Sequence, residues 1–314
     1  MRLMILVSLL VVPCLADYRP DRDGASTCVG LEVYDVNGRP IEGAKVMFRI
    51  FTTFDDCYKL MRDTDDRGYC EITCKTRGEI TVDVTKDGYY TSHGNLDYRD
   101  LSWDESVAEH KWTRGLVKNH ISMKPVVNPE KLIVGGMTLK SPPAKNRLLP
   151  FDAFMFDWCA PFGKGKVTDF EIGCYDMTNS VRGRVRGVRI KADSCADGFS
   201  LRRLDEWSSF RYALNAGEKD EYVKELIFGW VPDAHGEIIR GMDFSAKDYL
   251  VFRVRTATNE VGRVVAANYG IVDENLDFQD GLTLNIRLNP KQNDTSLEHD
   301  RVYKNMQKHK RSAR

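Results

Sequence analysis

The sequence has no excess of charge of either sign and, after its first residues, no long apolar run. Its 46 Lys and Arg residues balance 46 Asp and Glu residues over 314 positions, so no net field attracts nucleic acid or an anionic membrane. It also lacks a Gly-x-Ser-x-Gly elbow, a His-Glu-x-x-His helix and closely spaced metal ligands. We therefore expect no nucleic-acid partner, no metal and no cofactor, and no residue is assigned a catalytic role.

The one long apolar run lies at the N-terminus, from Leu3 to Val12, and is followed by Pro13-Cys14-Leu15-Ala16. A membrane-spanning helix needs about 20 apolar residues, so this run is too short to cross a bilayer. A short apolar run that ends in a small residue is typical of a secretory signal. We predict a signal peptide over 1–16, cleavage near Ala16, no transmembrane span, and a secreted, periplasmic or cell-surface protein.

Cysteine is present in an odd number once the signal is removed, because Cys14 leaves with it and seven of the eight cysteines remain. An exported protein can form disulfides, but free cysteines also serve as small buried hydrophobic residues, so the sequence leaves both states open. Cys70 and Cys74 lie four positions apart on one predicted strand, which is too far for a bond between them. They also lack the second ligand pair of a zinc site.

Alternating apolar and polar residues predict strands in the first part of the chain, at 31–36, 46–51, 68–74 and 79–84. Asn37-Gly38 and Asp65-Asp66-Arg67-Gly68 supply turns between them. The second turn also resembles the start of an EF-hand loop, but Arg67 stands where an oxygen ligand belongs and Cys74 where the bidentate Glu belongs, which favours a plain β-turn.

Together with Val84-Thr85-Lys86-Asp87-Gly88-Tyr89, these motifs resemble the carboxypeptidase regulatory-like domain, a transthyretin-type β-sandwich. The resemblance covers about residues 28–125 and gives a first domain at 27–126. It implies an accessory module without an activity of its own. The zinc-binding His-x-x-Glu of the peptidases themselves is absent. Thr91–Arg114 departs from the family pattern as an insertion, in which Trp103 and Trp112 either form a binding surface or pin the loop to the sandwich.

The second half has a different composition and predicts a second, larger β-domain. Prolines and glycines over 127–150 predict a linker. Strand-like runs at 222–230, 248–256, 261–271 and 282–288 predict an antiparallel sandwich over 151–290, jelly-roll or lectin-like, with a short helix near 201–213. Residues 291–314 predict a disordered, basic tail. The fold class is therefore all-β, with two consecutive antiparallel β-sandwich domains.

Arginines at alternate positions are the strongest local charge feature of the second half. Arg182, Arg184 and Arg186 fall on one face of a predicted strand, where three guanidinium groups could grip the carboxylate or sulfate groups of an acidic glycan. The alternative is a solvated face paired with Asp169 and Glu171. Phe154, Phe156 and Trp158 similarly predict one aromatic strand face, which favours core packing over sugar stacking.

Two functional hypotheses follow from these patterns. The first is a non-enzymatic protein that acts by surface binding or scaffolding at the cell envelope, with a glycan or an envelope protein as its partner. The second is a secreted hydrolase acting on polysaccharide, in which two carboxylates from different strands of the C-terminal domain act as acid and base. The sequence does not specify the oligomeric state.

Overall fold

The computed structural model describes residues 18–52, 56–98, 110–139, 142–179, 182–217, 221–273 and 282–305. The predicted signal peptide lies outside these residues. The chain divides into two compact units. The N-terminal unit contains the described residues up to Asp87 together with Thr91–Met123, and the C-terminal unit contains Gly88–Tyr90 and the residues from Lys124 onward. Both units are built from strands, which confirms the all-β class.

The N-terminal unit is a β-sandwich of a three-stranded sheet, ordered β4-β1-β7, and a four-stranded sheet, ordered β3-β2-β5-β6. One pairing departs from the predicted antiparallel pattern, because β1 and β7 run parallel. A short helix, α1, precedes the first strand. The elements are α1 (Pro20–Asp23), β1 (Ala25–Asp35), β2 (Lys45–Phe51), β3 (Cys57–Asp63), β4 (Tyr69–Thr76), β5 (Glu79–Thr85), β6 (Ser92–Asp97) and β7 (Lys111–Met123).

Alternation along these strands puts apolar side chains into the sandwich. Val46, Phe48 and Ile50 of β2 are fully buried, whereas their neighbours along the strand are half-buried or exposed. The turn before β4 forms as its residues predict, since the Asp65 carboxylate accepts hydrogen bonds from the backbone N–H groups of Arg67 and Tyr69. The interpretation of 91–114 as an inserted loop is wrong in part, because this segment contains β6, which pairs with β5.

The C-terminal unit has a six-stranded sheet, ordered β10-β9-β11-β12-β14-β15, and a five-stranded sheet, ordered β13-β16-β17-β18-β8. All of its paired strands are antiparallel. The strands are β8 (Ile133–Leu139), β9 (Leu148–Asp152), β10 (Asp157–Trp158), β11 (Phe170–Asn179), β12 (Gly183–Ala192), β13 (Gly198–Arg203), β14 (Glu225–Pro232), β15 (Ile238–Arg240), β16 (Asp248–Thr258), β17 (Val264–Val272) and β18 (Leu282–Leu288).

Two apolar clusters hold this unit together. The larger one contains buried residues of both sheets, among them Phe170, Phe228 and Phe252. The second combines strand residues such as Val251 and Ile271 with residues of the loop after β13 and of the C-terminal segment. Tyr90 belongs to this second cluster and stacks on Phe210 with ring centroids 4.9 Å apart.

Two segments that were predicted to lie outside the domains are structured parts of the C-terminal unit. The predicted linker contains β8 and the start of β9. β8 is an edge strand that pairs with β18 along its whole length. The predicted tail is packed at its beginning, where Leu297 and Glu298 are buried and a helix spans 300–305. The last basic residues, at 306–314, lie outside the described part of the chain.

Two local predictions in the C-terminal unit are wrong. The segment at 201–213 is not a helix, because its start belongs to β13, which pairs with β16, and an irregular loop follows. Phe154, Phe156 and Trp158 do not share a strand face, since a turn separates β9 from β10 and Phe156 has a positive φ of 51°.

The seven cysteines of the described residues are all free thiols. Cys70 and Cys74 face the interior from β4, and burial raises the pKa of each thiol to about 11. They therefore behave as small hydrophobic residues. Among the described residues, no helix combines the length and apolarity that crossing a bilayer requires.

Candidate ligand-binding surface

The predicted arginines lie where one face of β12 leaves the hydrophobic core. Val188, Ile190 and Ala192 occupy alternate positions on this strand and are buried in the larger cluster. The same alternation continues toward the start of the strand with Arg186 and Arg184. One strand face thus passes from buried apolar residues to exposed guanidinium groups.

The acidic partner of these arginines is Asp176 on the neighbouring strand β11. Arg184 donates two hydrogen bonds to its carboxylate, from Nε at 2.7 Å and from Nη2 at 2.6 Å. Arg186 and Lys145 lie farther away, each with a nitrogen 3.7 Å from a carboxylate oxygen. The hydrogen bonds from Arg184, reinforced by the three nearby cations, lower the pKa of Asp176 to about 2.

The alternative of a solvated arginine face gave Asp169 and Glu171 as examples of its acidic partners, and neither pairs with these arginines. Glu171 lies 3.4 Å from Lys191, and Asp169 is bonded to Arg255. The error arises from register, because position 176 of β11 stands opposite Arg186, whereas position 171 stands opposite Lys191. An alternating pattern identifies the face of a strand but not the residue across from it.

Arg182 lies against the aromatic ring of Trp230. Its Cζ atom lies 4.3 Å from the ring centroid of Trp230 on β14. Arg240 of β15 stands opposite Trp230 in the register, with Cζ 5.7 Å from the same centroid. Both distances are within the range of cation–π attraction. Arg240 also donates hydrogen bonds to Asp243 at 3.0 and 3.2 Å.

A glycine explains why Trp230 is available to the arginines. Leu226 and Phe228 are buried at alternate positions, and strict alternation would bury Trp230 next. Gly229 instead adopts a positive φ of 69°, which shifts the alternation by one residue. Val231 takes the buried position, and Trp230 stays half-buried at the surface.

We refer to Arg182, Arg184, Arg186, Arg240, Lys145, Asp176, Asp243 and Trp230 as the arginine cluster. It brings together five cations and two carboxylates in a protein with no net charge. Guanidinium groups bind carboxylate, sulfate and phosphate groups through paired N–H donors. Because Trp230 and Asp176 fix the positions of the guanidinium groups, the cluster is suited to bind a multivalent anion.

The two tryptophans predicted beside the arginines do not join this surface. Trp112 is fully buried in the N-terminal unit, and its indole N–H donates a hydrogen bond of 2.7 Å to the carbonyl of Thr76. It is a core residue, and its prediction as a ligand contact is wrong. Trp103 lies outside the described residues.

A second charged group in the C-terminal unit is the buried pair Asp152 and Asp169 with Arg255 between them. Arg255 donates to Asp169 from Nε at 2.9 Å and to Asp152 from Nη2 at 3.1 Å. Asp152 also accepts hydrogen bonds from four backbone N–H groups, those of Phe154, Met155, Lys166 and Val167. This network joins β9, the loop between β10 and β11, and β16.

The two carboxyl groups of this pair respond to burial differently. Burial raises the pKa of Asp169, and the hydrogen bond from Arg255 only partly opposes it. Burial also acts to raise the pKa of Asp152, but the backbone N–H donors outweigh it and leave the pKa below its usual value. Both side chains are at most 2% exposed, so they do not reach a substrate in solvent. This pair therefore cross-links strands and does not fit an acid–base pair.

Comparisons with known proteins do not identify a family. No protein-family model matches the chain, and no curated protein matches it. Solved structures that share part of its fold have low identity. A chlorocatechol 1,2-dioxygenase from Pseudomonas putida is 11% identical, with 32% of this chain and 61% of that chain covered and a TM-score of 0.27.

Two other similar structures cover more of the chain. A shaft pilin from Lactobacillus rhamnosus GG is 13% identical over 79% of this chain and 86% of that chain, with a TM-score of 0.25. A DUF3823 family protein from Parabacteroides merdae is 9% identical over 84% and 96%, with a TM-score of 0.23. The chain spans less than two thirds of the length of the dioxygenases that it matches. At these TM-scores, the likenesses carry no argument about function.

Proposed function

We propose that this protein is a non-catalytic binding protein of the cell surface or extracellular space, which holds an acidic glycan at the arginine cluster. The observation that carries the proposal is the placement of Arg182 and Arg240 on the ring of Trp230, beside the row of Arg184 and Arg186. Arg184 and Arg186 lie on β12, Arg240 lies on β15 of the same sheet, and Arg182 directly precedes β12, so the fold places these four cations near one another.

A repeating anion suits this geometry better than a single small anion. Alternate residues of a strand are about 6.6 Å apart, so consecutive guanidinium groups contact successive charges along a chain. Each contact at an exposed site is weak, and affinity comes from several contacts made together. The guanidinium groups offer paired N–H donors, which suit a binding role.

Titration calorimetry of the full chain against heparin, polygalacturonate, dextran and poly-L-glutamate tests the proposal. We expect binding to at least one acidic glycan and none to neutral dextran, with an affinity that falls as salt is added. Replacing Arg182, Arg184 and Arg186 together by Gln should abolish binding. A control is Arg263→Gln, which removes an exposed arginine between β16 and β17, in the other sheet of this unit.

Two outcomes would overturn the proposal. One is an absence of binding to both acidic glycans at low salt. The other is tighter binding to poly-L-glutamate than to either glycan, which would identify an acidic polypeptide as the partner.

A further inference from the structure

The edge strand β3 of the N-terminal unit exposes nearly its whole length. Six of its seven residues are exposed, and Leu60 is half-buried. Met61 is 52% exposed and Tyr58 is 38% exposed. β3 pairs with β2 on one side and has no strand partner on the other among the described residues. Edge strands of this kind are templates for pairing with another chain.

The side chains of β3 that point toward the core side of the sheet are partly exposed to solvent. Tyr58, Leu60 and Arg62 stand opposite Ile50, Phe48 and Val46 of β2, and those three residues are fully buried. Side chains directly opposite each other in a sheet point to the same side. The apolar interior therefore continues to Leu60 and Tyr58, where solvent meets it.

We propose that β3 pairs antiparallel with β3 of a second copy of this chain, about a twofold axis at Leu60. In this register all seven strand residues are paired, and Leu60 packs on Leu60 of the second copy. Tyr58 stands opposite Arg62 of the second copy. Lys59 stands opposite Met61 and lies diagonal to both Lys59 and Asp63 of the second copy, and Asp63 also pairs with Lys45 of its own copy. The two four-stranded sheets become one continuous sheet.

The side chains of β3 favour this register over the two neighbouring registers. Arg62 points to the core side of an edge strand, and its guanidinium group donates a hydrogen bond to the carbonyl of Met61. A charged side chain in this position discourages pairing with a neutral strand. In the proposed register the Arg62 side chain meets an aromatic ring. Moving the axis by one residue to Lys59 would oppose two lysines and pair only five strand residues. Moving it to Met61 would also pair only five; Lys59 would then stand opposite Asp63, but Leu60 would stand opposite Arg62 and lose its apolar partner.

Sedimentation equilibrium of the full chain tests the proposal. We expect a concentration-dependent dimer whose dissociation constant rises about tenfold or more in Leu60→Asp and in Leu60→Lys, because like charges then meet on the axis. An equimolar mixture of the two variants should restore the dimer. Leu116→Asp, which alters an exposed leucine of β7 in the same unit, should dimerise as the wild type does.

Disulfide trapping tests which residues of the two β3 strands lie opposite each other. Directly opposed residues have Cα atoms about 4.5–5.5 Å apart, which permits a disulfide. In a Cys57→Ser background, Leu60→Cys should form an intermolecular disulfide, whereas Met61→Cys should not. The proposal is overturned by a chain that stays monomeric at all concentrations tested, by a dimer insensitive to both charged variants at Leu60, or by trapping through Met61→Cys alone.

Discussion

Arg184 donates two hydrogen bonds to the carboxylate of Asp176, the two-donor arrangement that a guanidinium group would also offer to an anionic ligand. Asp176 thus occupies part of the surface that we assign to ligand binding. It orders Arg184, and it also competes with an incoming carboxylate or sulfate group. Which effect is larger can be measured.

Asp176→Asn should raise the affinity for heparin about two- to fivefold, the range expected when one exposed ion pair no longer competes. The neutral amide does not hold Arg184 as strongly as the carboxylate does, and the cluster gains one unit of positive charge. Calorimetry at low salt provides the measurement. Asp243→Asn, which acts on Arg240, is the matched variant. A loss of affinity in Asp176→Asn would show that ordering of Arg184 matters more than competition.

The charges of Asp176 and of the arginines beside it should not change between pH 5 and pH 8. Arginine stays protonated throughout, and the pKa of Asp176 is about 2, below its ordinary value. The lowered pKa of Asp176 also means that its ion pairs stabilise the folded protein above the unfolded-state pKa of the carboxyl group, and that this stabilisation is lost only as pH falls toward 2. Heparin affinity measured from pH 5 to pH 8 should therefore be constant. A titration in that range would point to a different binding site.

Trp230→Ala should weaken heparin binding about three- to tenfold, because Arg182 and Arg240 lose the ring that positions both guanidinium groups. Trp230→Phe should retain part of the affinity, since a smaller aromatic ring still attracts cations. Trp207→Ala is the control, because this tryptophan is 53% exposed on a loop outside the arginine cluster. Equal effects of Trp230→Ala and Trp207→Ala would contradict the assignment.

Part of this molecule could be predicted from short-range sequence patterns. Alternation places the arginines on one face of β12, and the Asp65 turn forms as its residue types require. Trp230 could not be predicted at the surface, because its exposure depends on the backbone angle of Gly229. A glycine in the sequence of a strand does not indicate whether it adopts a positive φ and shifts the alternation or keeps ordinary extended angles.

Long-range partners account for the other errors. β8 lies in a segment rich in glycine and proline, and it becomes a strand because β18 supplies the complementary edge. Glu298 belongs to a polar stretch that predicts a tail, yet its carboxylate accepts hydrogen bonds from the backbone N–H groups of Val127 and Asn128, about 170 positions earlier. Single-residue patterns do not encode such pairings.

Arg255→Met should destabilise the C-terminal unit by about 3 kcal/mol, because it leaves two buried carboxylates without their cation. Burial raises the pKa of Asp169 and Arg255 opposes that rise, so the pKa of Asp169 should be higher still in the variant. The added penalty applies to the ionised carboxylate and is relieved as pH falls through the folded-state pKa of the variant. The loss should therefore be smaller at pH 5 than at pH 7. Urea unfolding at both pH values measures it, with Arg263→Met as the exposed control. An equal loss at both values would contradict this account.

Glu298→Ala should cost about 3 kcal/mol, because it removes a buried carboxylate that accepts hydrogen bonds from three donors. These are the Tyr90 hydroxyl at 3.0 Å and the backbone N–H groups of Val127 and Asn128 at 3.1 and 2.7 Å. For a unit of this size, the unfolding midpoint should fall by roughly 6–12 °C.

The partners of Glu298 allow a graded test. Tyr90→Phe removes a single donor, so it should cost only about 1 kcal/mol. Glu260→Ala replaces an exposed glutamate in the turn after β16 and should leave the midpoint unchanged. Calorimetric unfolding should show the largest fall in midpoint for Glu298→Ala, a smaller fall for Tyr90→Phe and none for Glu260→Ala. If Glu298→Ala unfolds at the wild-type temperature, the C-terminal segment is not held by this carboxylate, and the apolar contacts of Leu297 must fix it instead.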